Sequence, residues 1–338
     1  MKPLFTLLTS LFVTLTFAQQ KLIAVKGNVT DAITTTLTDA IALAQPGDKI
    51  YLPGGFFSHT TPIDKPVHII GTGFQDGMNV MGRTTINGSL TLGDLADNST
   101  FEGLYLTEWF TQTENSIADN ISIKRCNMKG TNLVYTSNYI NSNFINCVVR
   151  ITLHLGYHDG TSASAAGENN YIKNCIVGNY VQYTNSSEIE NCLLLGVIYC
   201  SNSFVKKNVF YRNDTGCDAI TSSTGIVLAD NLFRLNCYPA YNFGSTISTE
   251  SGTIIYPDIS DVFVNVPSTT FFDFNPTYDY HLKAPYTTTS PSAGIYSGSF
   301  PWKDGSLPII PNIEQNNSYL DVQNETFKLN VKVVPQTH

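Results

Sequence analysis

Histidine and carboxylate side chains gather in one stretch of this 338-residue chain. His154 and His158 are followed by Asp159 and Glu168, with glycines and small residues around them over 156–170. A histidine and a carboxylate held beside one bond are the groups that serve as general base and acid. We therefore take His154, His158 and Asp159 as candidate catalytic residues. The alternative is a solvated loop with no part in any chemistry.

A second group combines a guanidinium with two carboxylates. Arg212, Asp214 and Asp218 lie close together in the segment 211–223. A cation beside two carboxylates makes all three candidate catalytic residues. An ion-paired turn exposed to solvent is the other interpretation.

Aromatic side chains give a third signal. Trp109 and Phe110 stand in the acidic segment 106–120, which interrupts the pattern described next. Their rings either stack on a sugar or pack against the side of the protein. Trp109, Tyr157 and Glu168 are the candidate substrate-binding residues.

A phrase that returns seven times over 101–233 predicts the scaffold for these groups. It reads FEGLYL, IKRCNM, FINCVV, YIKNCIV, EIENCLLL, FVKKNVF and VLADNLF. The phrase has no helical period, and its Ile, Val, Phe and Asn favour strands closed by tight turns. A unit this small cannot bury its own apolar face, whereas stacked units can. The sequence therefore predicts an all-β solenoid.

A Cys or Asn fills one position of the phrase and defines its spacing. The aligned residues are Cys126, Cys147, Cys175, Cys192, Asn208 and Asn231, separated by 21, 28, 17, 16 and 23 residues. The separation of 28 exceeds the following two, of 17 and 16 residues, by about 11 residues, and we assign the excess to 156–170. Loops on a rigid scaffold are where binding and catalytic residues concentrate.

Stacking would place the aligned Cys and Asn residues in one interior column. Free Cys is among the most buried residue types, and stacked Asn side chains hydrogen-bond along a column. We expect Cys126, Cys147, Cys175 and Cys192 to be thiols, because parallel Cβ vectors suit a disulfide poorly. Cys200, Cys217 and Cys237 are left undecided. No Cys-x-x-Cys pair exists, so no zinc site is predicted.

The phrase IKNCIV, with its Asn and Cys at the inward bend, resembles the strand-turn motif of the right-handed parallel β-helix superfamily, the pectin-lyase-like fold. "AIALAQPGDKIYLPGG" and "KPVHIIGTG" resemble the N-terminal cap and first strands of its bacterial secreted members. The resemblance implies a single-stranded, right-handed parallel β-helix and a bias toward polysaccharide. Lyases of this fold use a basic residue as the base, often with calcium. That chemistry would assign roles to Arg212, Asp214 and Asp218.

Departures from the family limit what carries over. The chain has neither the Arg-x-Pro-x-x-Arg pattern of pectate lyases nor the Asp-Asp setting of polygalacturonases. No catalytic residue is therefore transferred from the family. No cofactor is predicted, and calcium is expected only if the protein is a lyase.

Three segments divide the chain. Residues 1–18 combine one positive charge, an apolar run and a final Ala, which predicts a cleaved signal peptide and a secreted, periplasmic or cell-surface protein. Residues 19–308 form the predicted β-helix, with a short capping helix within 36–45 and an aromatic-rich C-terminal cap within 261–308. Its aromatics either cover the last coil or present a platform of Tyr296, Phe300 and Trp302 to a glycan. Residues 309–338 form a tail with one predicted strand.

Composition narrows the function. The formal net charge is −8 and charged residues make up only 14% of the chain, without a basic cluster, which argues against nucleic acid. No later stretch is long enough to span a membrane, and we expect a monomer. Two functions remain: a polysaccharide lyase or glycoside hydrolase, and a non-catalytic glycan-binding or scaffold protein.

Overall fold

The computed structural model describes residues 22–77, 82–133, 137–158, 164–211, 219–235, 241–242, 245–267, 274–290, 292–304, 312–316, 319–321, 326–328 and 331–334. Short strands dominate them. The strands of the first half are β1 (Ile23–Lys26), β2 (Asp31–Thr34), β3 (Lys49–Tyr51), β4 (Gly55–Phe57), β5 (His68–Ile70), β6 (Thr84–Ile86), β7 (Leu90–Leu92), β8 (Thr100–Glu102), β9 (Tyr105–Leu106), β10 (Phe110–Gln112), β11 (Ile117–Asp119), β12 (Ser122–Lys124), β13 (Asn127–Asn132), β14 (Asn138–Ile140), β15 (Asn143–Ile145), β16 (Val148–His154), β17 (Tyr157–His158), β18 (Ser164–Ala165) and β19 (Gly167–Glu168).

The second half continues in the same way. Its strands are β20 (Tyr171–Lys173), β21 (Ile176–Val177), β22 (Tyr180–Asn185), β23 (Glu188–Glu190), β24 (Leu193–Leu194), β25 (Val197–Ser201), β26 (Phe204–Lys206), β27 (Val209–Phe210), β28 (Ile220–Thr221), β29 (Ile226–Ala229), β30 (Leu232–Arg234), β31 (Tyr241–Asn242), β32 (Ile247–Ser251), β33 (Ile254–Tyr256), β34 (Phe263–Asn265), β35 (Asp279–Leu282), β36 (Asn312–Asn316), β37 (Tyr319–Asp321), β38 (Thr326–Lys328) and β39 (Val331–Val334). Three short helices accompany them in the described parts: α1 (Leu37–Leu43), α2 (Ile259–Val262) and α3 (Tyr286–Thr289).

Two long sheets hold most of the described strands. Sheet A contains twelve strands in the order β2-β1-β3-β5-β8-β12-β15-β20-β23-β26-β29-β32, and sheet B contains nineteen. The chain alternates between the sheets, and strands of successive coils pair in parallel except at β1 and β2. This is the stacked, all-β coil that the repeated phrase predicts. The right-handed sense implied by the family resemblance stays a prediction.

Register explains the core. In sheet A the middle residue of each three-residue strand pairs with the middle residue of the next and is buried. Side chains alternate between the faces of a strand, so one residue in each strand forms the interior column. The members of that column include Ile50, Ile69, Phe101, Ile123, Phe144, Ile172, Ile189, Val205 and Leu228.

Each bend into sheet B repeats one backbone conformation. Asn146, Asn174 and Asn191 precede the column cysteines and have φ values of 54, 53 and 56°. Asn tolerates this left-handed region better than most residues, because its short polar side chain can hydrogen-bond locally. The Asn-Cys words of the sequence therefore encode the corner of the coil.

The interior column after each bend matches its prediction. Cys126, Cys147, Cys175 and Cys192 are buried free thiols, and the Cys175 Sγ lies 3.3 Å from the carbonyl oxygen of Phe144. Further along, the Asn231 Oδ1 accepts from the Asn208 backbone N–H at 3.0 Å and from its Nδ2 at 3.1 Å. Cys200 is also a buried thiol, while Cys217 and Cys237 lie outside the described residues.

The first helix lies where the sequence predicts it. α1 begins after Thr36, whose Oγ1 accepts from the Asp39 backbone N–H at 3.1 Å, and it buries Leu37, Ala40 and Ile41. An N-cap of this kind is worth about 1 kcal/mol. The helix contacts β1 and β2, the first strands of sheet A.

The aromatic segment near the C-terminus does not simply cover the last coil. Phe274 lies 6.2 Å from Phe74, which belongs to the early coils, and Trp302 lies 6.3 Å from Phe74. This segment covers outward apolar side chains of sheet B, which would otherwise face water. The covered ladder comprises Val148, Ile176, Leu193, Val209 and Leu232. The expected glycan platform is therefore incomplete, because Trp302 is buried, although Phe300 is exposed.

Two further predictions need correction. The segment 106–120 is not an interruption, because β10 and β11 pair in register with the neighbouring coils and bury Phe110 and Ala118. The described parts of the tail carry four strands rather than one. Its β38 and β39 pair antiparallel with β37 and β36 respectively, so the alternating stretch is shared between two hairpin pairings.

Candidate functional site

Two neighbouring coils depart from the regular residue count at the same point of sheet B. His154 pairs with Gln182, and the next paired residues are Gly167 and Thr184. Twelve residues therefore stand between the paired positions in one coil, where the next coil has only Tyr183. This confirms the predicted insertion of about 11 residues. It contains a hairpin in which β17 and β18 pair antiparallel.

Tyr183 is itself an extra residue. The β22–β25 register shifts there, because Gln182 pairs with Tyr199 and Thr184 pairs with Cys200. Tyr183 has a φ of 59°. This left-handed conformation costs a residue other than glycine about 1–2 kcal/mol, and such strain is often kept at functional sites. The bulge adds an aromatic ring to the outward face beside the inserted hairpin.

Several rings meet around this bulge. The His154 and Tyr183 ring centroids lie 6.0 Å apart, and the Tyr183 and Tyr199 centroids lie 6.4 Å apart. Tyr180 and Tyr199 meet edge to face at 5.9 Å. All four side chains are half-buried. Aromatic rings at the surface of a sheet can stack on the apolar face of a sugar. The four residues form what we call the ring cluster: His154, Tyr180, Tyr183 and Tyr199.

A cleft of 410 Å³ opens beside the ring cluster. Tyr183 and Tyr199 form its aromatic wall, and Asn185, Ser201 and Ser222 supply amide and hydroxyl groups. A pocket that combines rings with a few polar groups is the usual form of a small-ligand site. Sugars present both apolar C–H faces and hydroxyls, so they match this lining.

The outward face of sheet B continues from the cluster toward the N-terminus. His154 pairs with Gln182, while Tyr180 pairs with Thr152. Further along, a Cβ on Gly130 would lie 1.7 Å from the Thr152 oxygen and 3.1 Å from Trp109 Cζ3. Only glycine leaves room there for the backbone carbonyl of Thr152, and the half-buried indole of Trp109 packs against the same point. The strands β10, β13, β16, β22 and β25 carry this face over about 19 Å, at ~4.8 Å per strand.

The two ends of this face differ in charge: the end at His154 is neutral, and the end at Trp109 carries an ion pair. Burial lowers the pKa of His154, so its imidazole is neutral at pH 7 and keeps one nitrogen able to accept a proton. Near Trp109, the Lys129 Nζ and Glu108 Oε2 form an ion pair at 2.6 Å. Within the described parts of the chain, no group of three or more His, Cys, Asp or Glu side chains could hold a metal ion.

The structure brings some of the predicted residues together. His154 belongs to the ring cluster, Tyr157 lies on the inserted hairpin, and the exposed Glu168 follows that hairpin opposite Asn185. Trp109 immediately precedes β10, which is three strands away from the strand β22 that carries Tyr180. The backbone of His158 forms part of β17, whereas Asp159, Arg212, Asp214 and Asp218 lie outside the described residues.

Sequence reasoning missed Tyr180, Tyr183 and Tyr199. One signal for Tyr183 was present: Cys175 and Cys192 are 17 residues apart, whereas Cys192 and Asn208 are 16 apart. The pairing shows that the additional residue is Tyr183. A one-residue difference between adjacent coils therefore marks the bulge.

Comparisons with known proteins add little to this geometry. No known family model matches the chain, and no curated protein matches it. Among solved structures it is similar to the A-module of the mannuronan C-5 epimerase AlgE6 of Azotobacter vinelandii, at 12% identity. That similarity covers 65% of this chain and 93% of the other, with a TM-score of 0.24. At this score the likeness supports no conclusion about substrate. None of the described helices has the length and hydropathy of a membrane span.

Proposed function

We propose that this is a secreted protein that binds polysaccharide across the outward face of sheet B, with the ring cluster as the centre of the site. The observation that carries the proposal is the meeting of His154, Tyr183 and Tyr199 beside the polar cleft. The two neighbouring coils both depart from regular strand pairing at this point, one by an insertion and the other by a bulge. Secretion rests on the predicted leader at 1–18.

Binding is favoured because aromatic and amide groups supply most of the outward face. Trp109, Tyr180 and Tyr199 offer rings at different coils, and Gln182 offers an amide between His154 and Tyr199. An extended glycan that crosses the coils would meet these groups in turn. The rigid sheet holds them in place, which reduces the entropy lost on binding.

A polysaccharide-cleaving activity is the second candidate, and the neutral imidazole of His154 favours it. An imidazole that is unprotonated at pH 7 can act as a base toward a sugar carbon or a water molecule. The Tyr183 hydroxyl could donate its own proton to the leaving oxygen while His154 keeps the proton that it removed, since the two rings lie 6.0 Å apart between centroids. Proton exchange with water then restores both side chains. Calcium belongs to this candidate alone.

The first experiment uses affinity electrophoresis to measure binding of the purified protein to a panel of acidic and neutral polysaccharides. Substitution Tyr199→Ala removes one ring from the cluster, and Trp109→Ala removes one from the other end of the face. Each should weaken binding by about two- to tenfold, since a ring contact is worth roughly 0.5–1.5 kcal/mol. Binding unchanged in both variants would contradict the proposed site.

Phe204 provides the matched control. It is an exposed aromatic residue on sheet A, with 55% of its side chain accessible. Phe204→Ala therefore removes an exposed ring away from the outward face of sheet B. Its binding should equal that of the unaltered protein. A loss equal to that of Tyr199→Ala would show that binding is nonspecific.

Cleavage is tested on the same panel, with and without calcium. New reducing ends together with ultraviolet absorbance of an unsaturated uronate would establish a lyase. Reducing ends alone would indicate a hydrolase. His154→Gln should then abolish turnover while weakening polysaccharide binding no more than Tyr199→Ala does. Absence of both signals, from protein that binds, leaves the binding function as the correct one.

A further inference from the structure

A second cleft lies at the other margin of sheet B. Its volume is 330 Å³, and Arg83, Tyr105 and Arg150 line it together with Asp76 and Phe274. It shares no lining residue with the cleft at the ring cluster. The C-terminal aromatic segment contributes one of its walls.

Two guanidinium groups contact one tyrosine ring there. The Arg83 Cζ lies 4.2 Å from the centroid of Tyr105, and the Arg150 Cζ lies 4.9 Å from it. Thr85 and Asn127 pair with Tyr105 on its two sides. Arg83 therefore approaches from the preceding coil and Arg150 from a later one. Stacking on an aromatic face is a favoured use of arginine.

Other contacts hold the arginines in place. Arg150 donates to Asn127 Oδ1 and to the carbonyl oxygens of Leu106 and Thr107. Arg83 donates through Nε to Thr85 Oγ1 at 3.3 Å. The two side chains are therefore positioned by the coil before any ligand arrives, which favours binding.

The charge of the lining contrasts with that of the protein. Two arginines and one aspartate give the cleft a formal charge of +1, whereas the chain carries −8. Phe74 and Phe274 add apolar walls. A positive cleft with rings suits an oxyanion on an apolar or sugar-like body, because planar guanidinium groups match its oxygens.

We propose that this cleft is a binding site for an organic oxyanion, either a carboxylate or a sulfate ester, held by Arg83 and Arg150 over Tyr105. The site is separate from the ring cluster and does not depend on the proposed function. Asp76 now occupies the position of a competing anion, with Oδ2 at 3.1 Å from an Arg83 terminal nitrogen. Its side chain is 70% exposed, and an exposed ion pair is weak enough for a ligand to displace.

The test is a nuclear magnetic resonance titration of the arginine Nε–Hε signals at pH 7. The probes are glucuronate, glucose 6-sulfate and glucose, which distinguish a carboxylate, a sulfate ester and a neutral ring. We expect saturable shifts of the Arg83 and Arg150 signals with at least one charged sugar and none with glucose. Absence of saturation with both charged sugars at about 50 mM, or equal shifts with glucose, would overturn the proposal.

One substitution should weaken oxyanion binding, and another should strengthen it. Arg83→Gln should weaken oxyanion binding about tenfold, since a charge-assisted pair is lost. Asp76→Asn removes the competing carboxylate, leaves both arginines intact and should tighten binding. The exposed pair Lys26 and Asp31, with Nζ and Oδ2 2.7 Å apart, gives matched controls in Lys26→Gln and Asp31→Asn. These controls change the net charge equally and should bind as the unaltered protein does.

The outcomes separate a ligand site from a structural clasp between the coils and the C-terminal segment. A clasp alone predicts that Arg83→Gln lowers stability and that Asp76→Asn fails to tighten binding. That pair of results would overturn the proposal. Tyr199→Ala should leave oxyanion binding unchanged, so failure of the polysaccharide site and failure of this cleft are distinguishable.

Discussion

Asn174 should hold the C-terminal segment against the side of the coils. Its Nδ2 donates to the carbonyl oxygens of Ile295 at 2.7 Å and Ser297 at 2.6 Å, and the side chain is buried. Asn174→Gly removes these two hydrogen bonds at about 1 kcal/mol each, so the free energy of unfolding should fall by about 2 kcal/mol. Asn174→Ala should cost about 1 kcal/mol more, because alanine disfavours a φ of 53°.

Urea denaturation measures these losses by linear extrapolation. Asn141→Gly is the matched control, because Asn141 has a φ of 50° and its Nδ2 donates to Asp119 Oδ1 in an exposed contact. Its loss should stay below about 0.5 kcal/mol. Hydrogen exchange of the 292–304 amides should accelerate in Asn174→Gly alone. Equal stability of the two glycine variants, with unchanged exchange, would refute the role given to the Asn174 amide.

Three further outcomes are expected. Burial lowers the pKa values of His59, His68 and His154, so these imidazoles bind protons more readily in the unfolded chain. The free energy of unfolding should therefore fall as the pH drops below about 6.5. Urea midpoints that stay constant between pH 5 and 8 would contradict this. Burial raises the pKa of the Cys175 thiol, so a thiol reagent at pH 8 should modify it only after denaturation, as peptide mass spectrometry would show. Tyr183→Gly relieves the left-handed backbone, so it should keep or raise stability while weakening polysaccharide binding; a loss of stability above about 1 kcal/mol would show that the ring is a structural support.

The repeated phrase predicted the coil because one residue in each phrase occupies the same interior position. The thiol of Cys175 and the amide of Asn208 both fill the interior column after a bend, although their chemistry differs. The insertion at 156–170 was equally visible, since a fixed coil length makes any excess stand out. Periodicity therefore gave the scaffold and the location of its main irregularity.

The C-terminal segment was harder to place because its contacts depend on outward side chains. Most of the phrases end in two apolar residues, such as Val148 and Val149, and strand alternation sends only one of them inward. Val149 joins the interior core, while Val148 joins the cluster that includes Trp302. An outward apolar ladder needs a cover, but the sequence did not indicate which segment supplies it. The expectation of a cap over the last coil followed from chain order alone.

The ring cluster depends on a difference of one residue between adjacent coils, which is harder to detect in the sequence. The coil from Cys175 to Cys192 has one residue more than the next, and a strand cannot absorb a residue without turning every later side chain to the opposite face. The bulge at Tyr183 takes up this residue, so Thr184 and Cys200 pair again and both remain buried. The backbone strain is confined to Tyr183, and the bulge places the Tyr183 ring beside His154. Deletion of Tyr183 should therefore leave the interior register intact while polysaccharide binding is lost; a collapse of the fold on deletion would show that the bulge serves the scaffold instead.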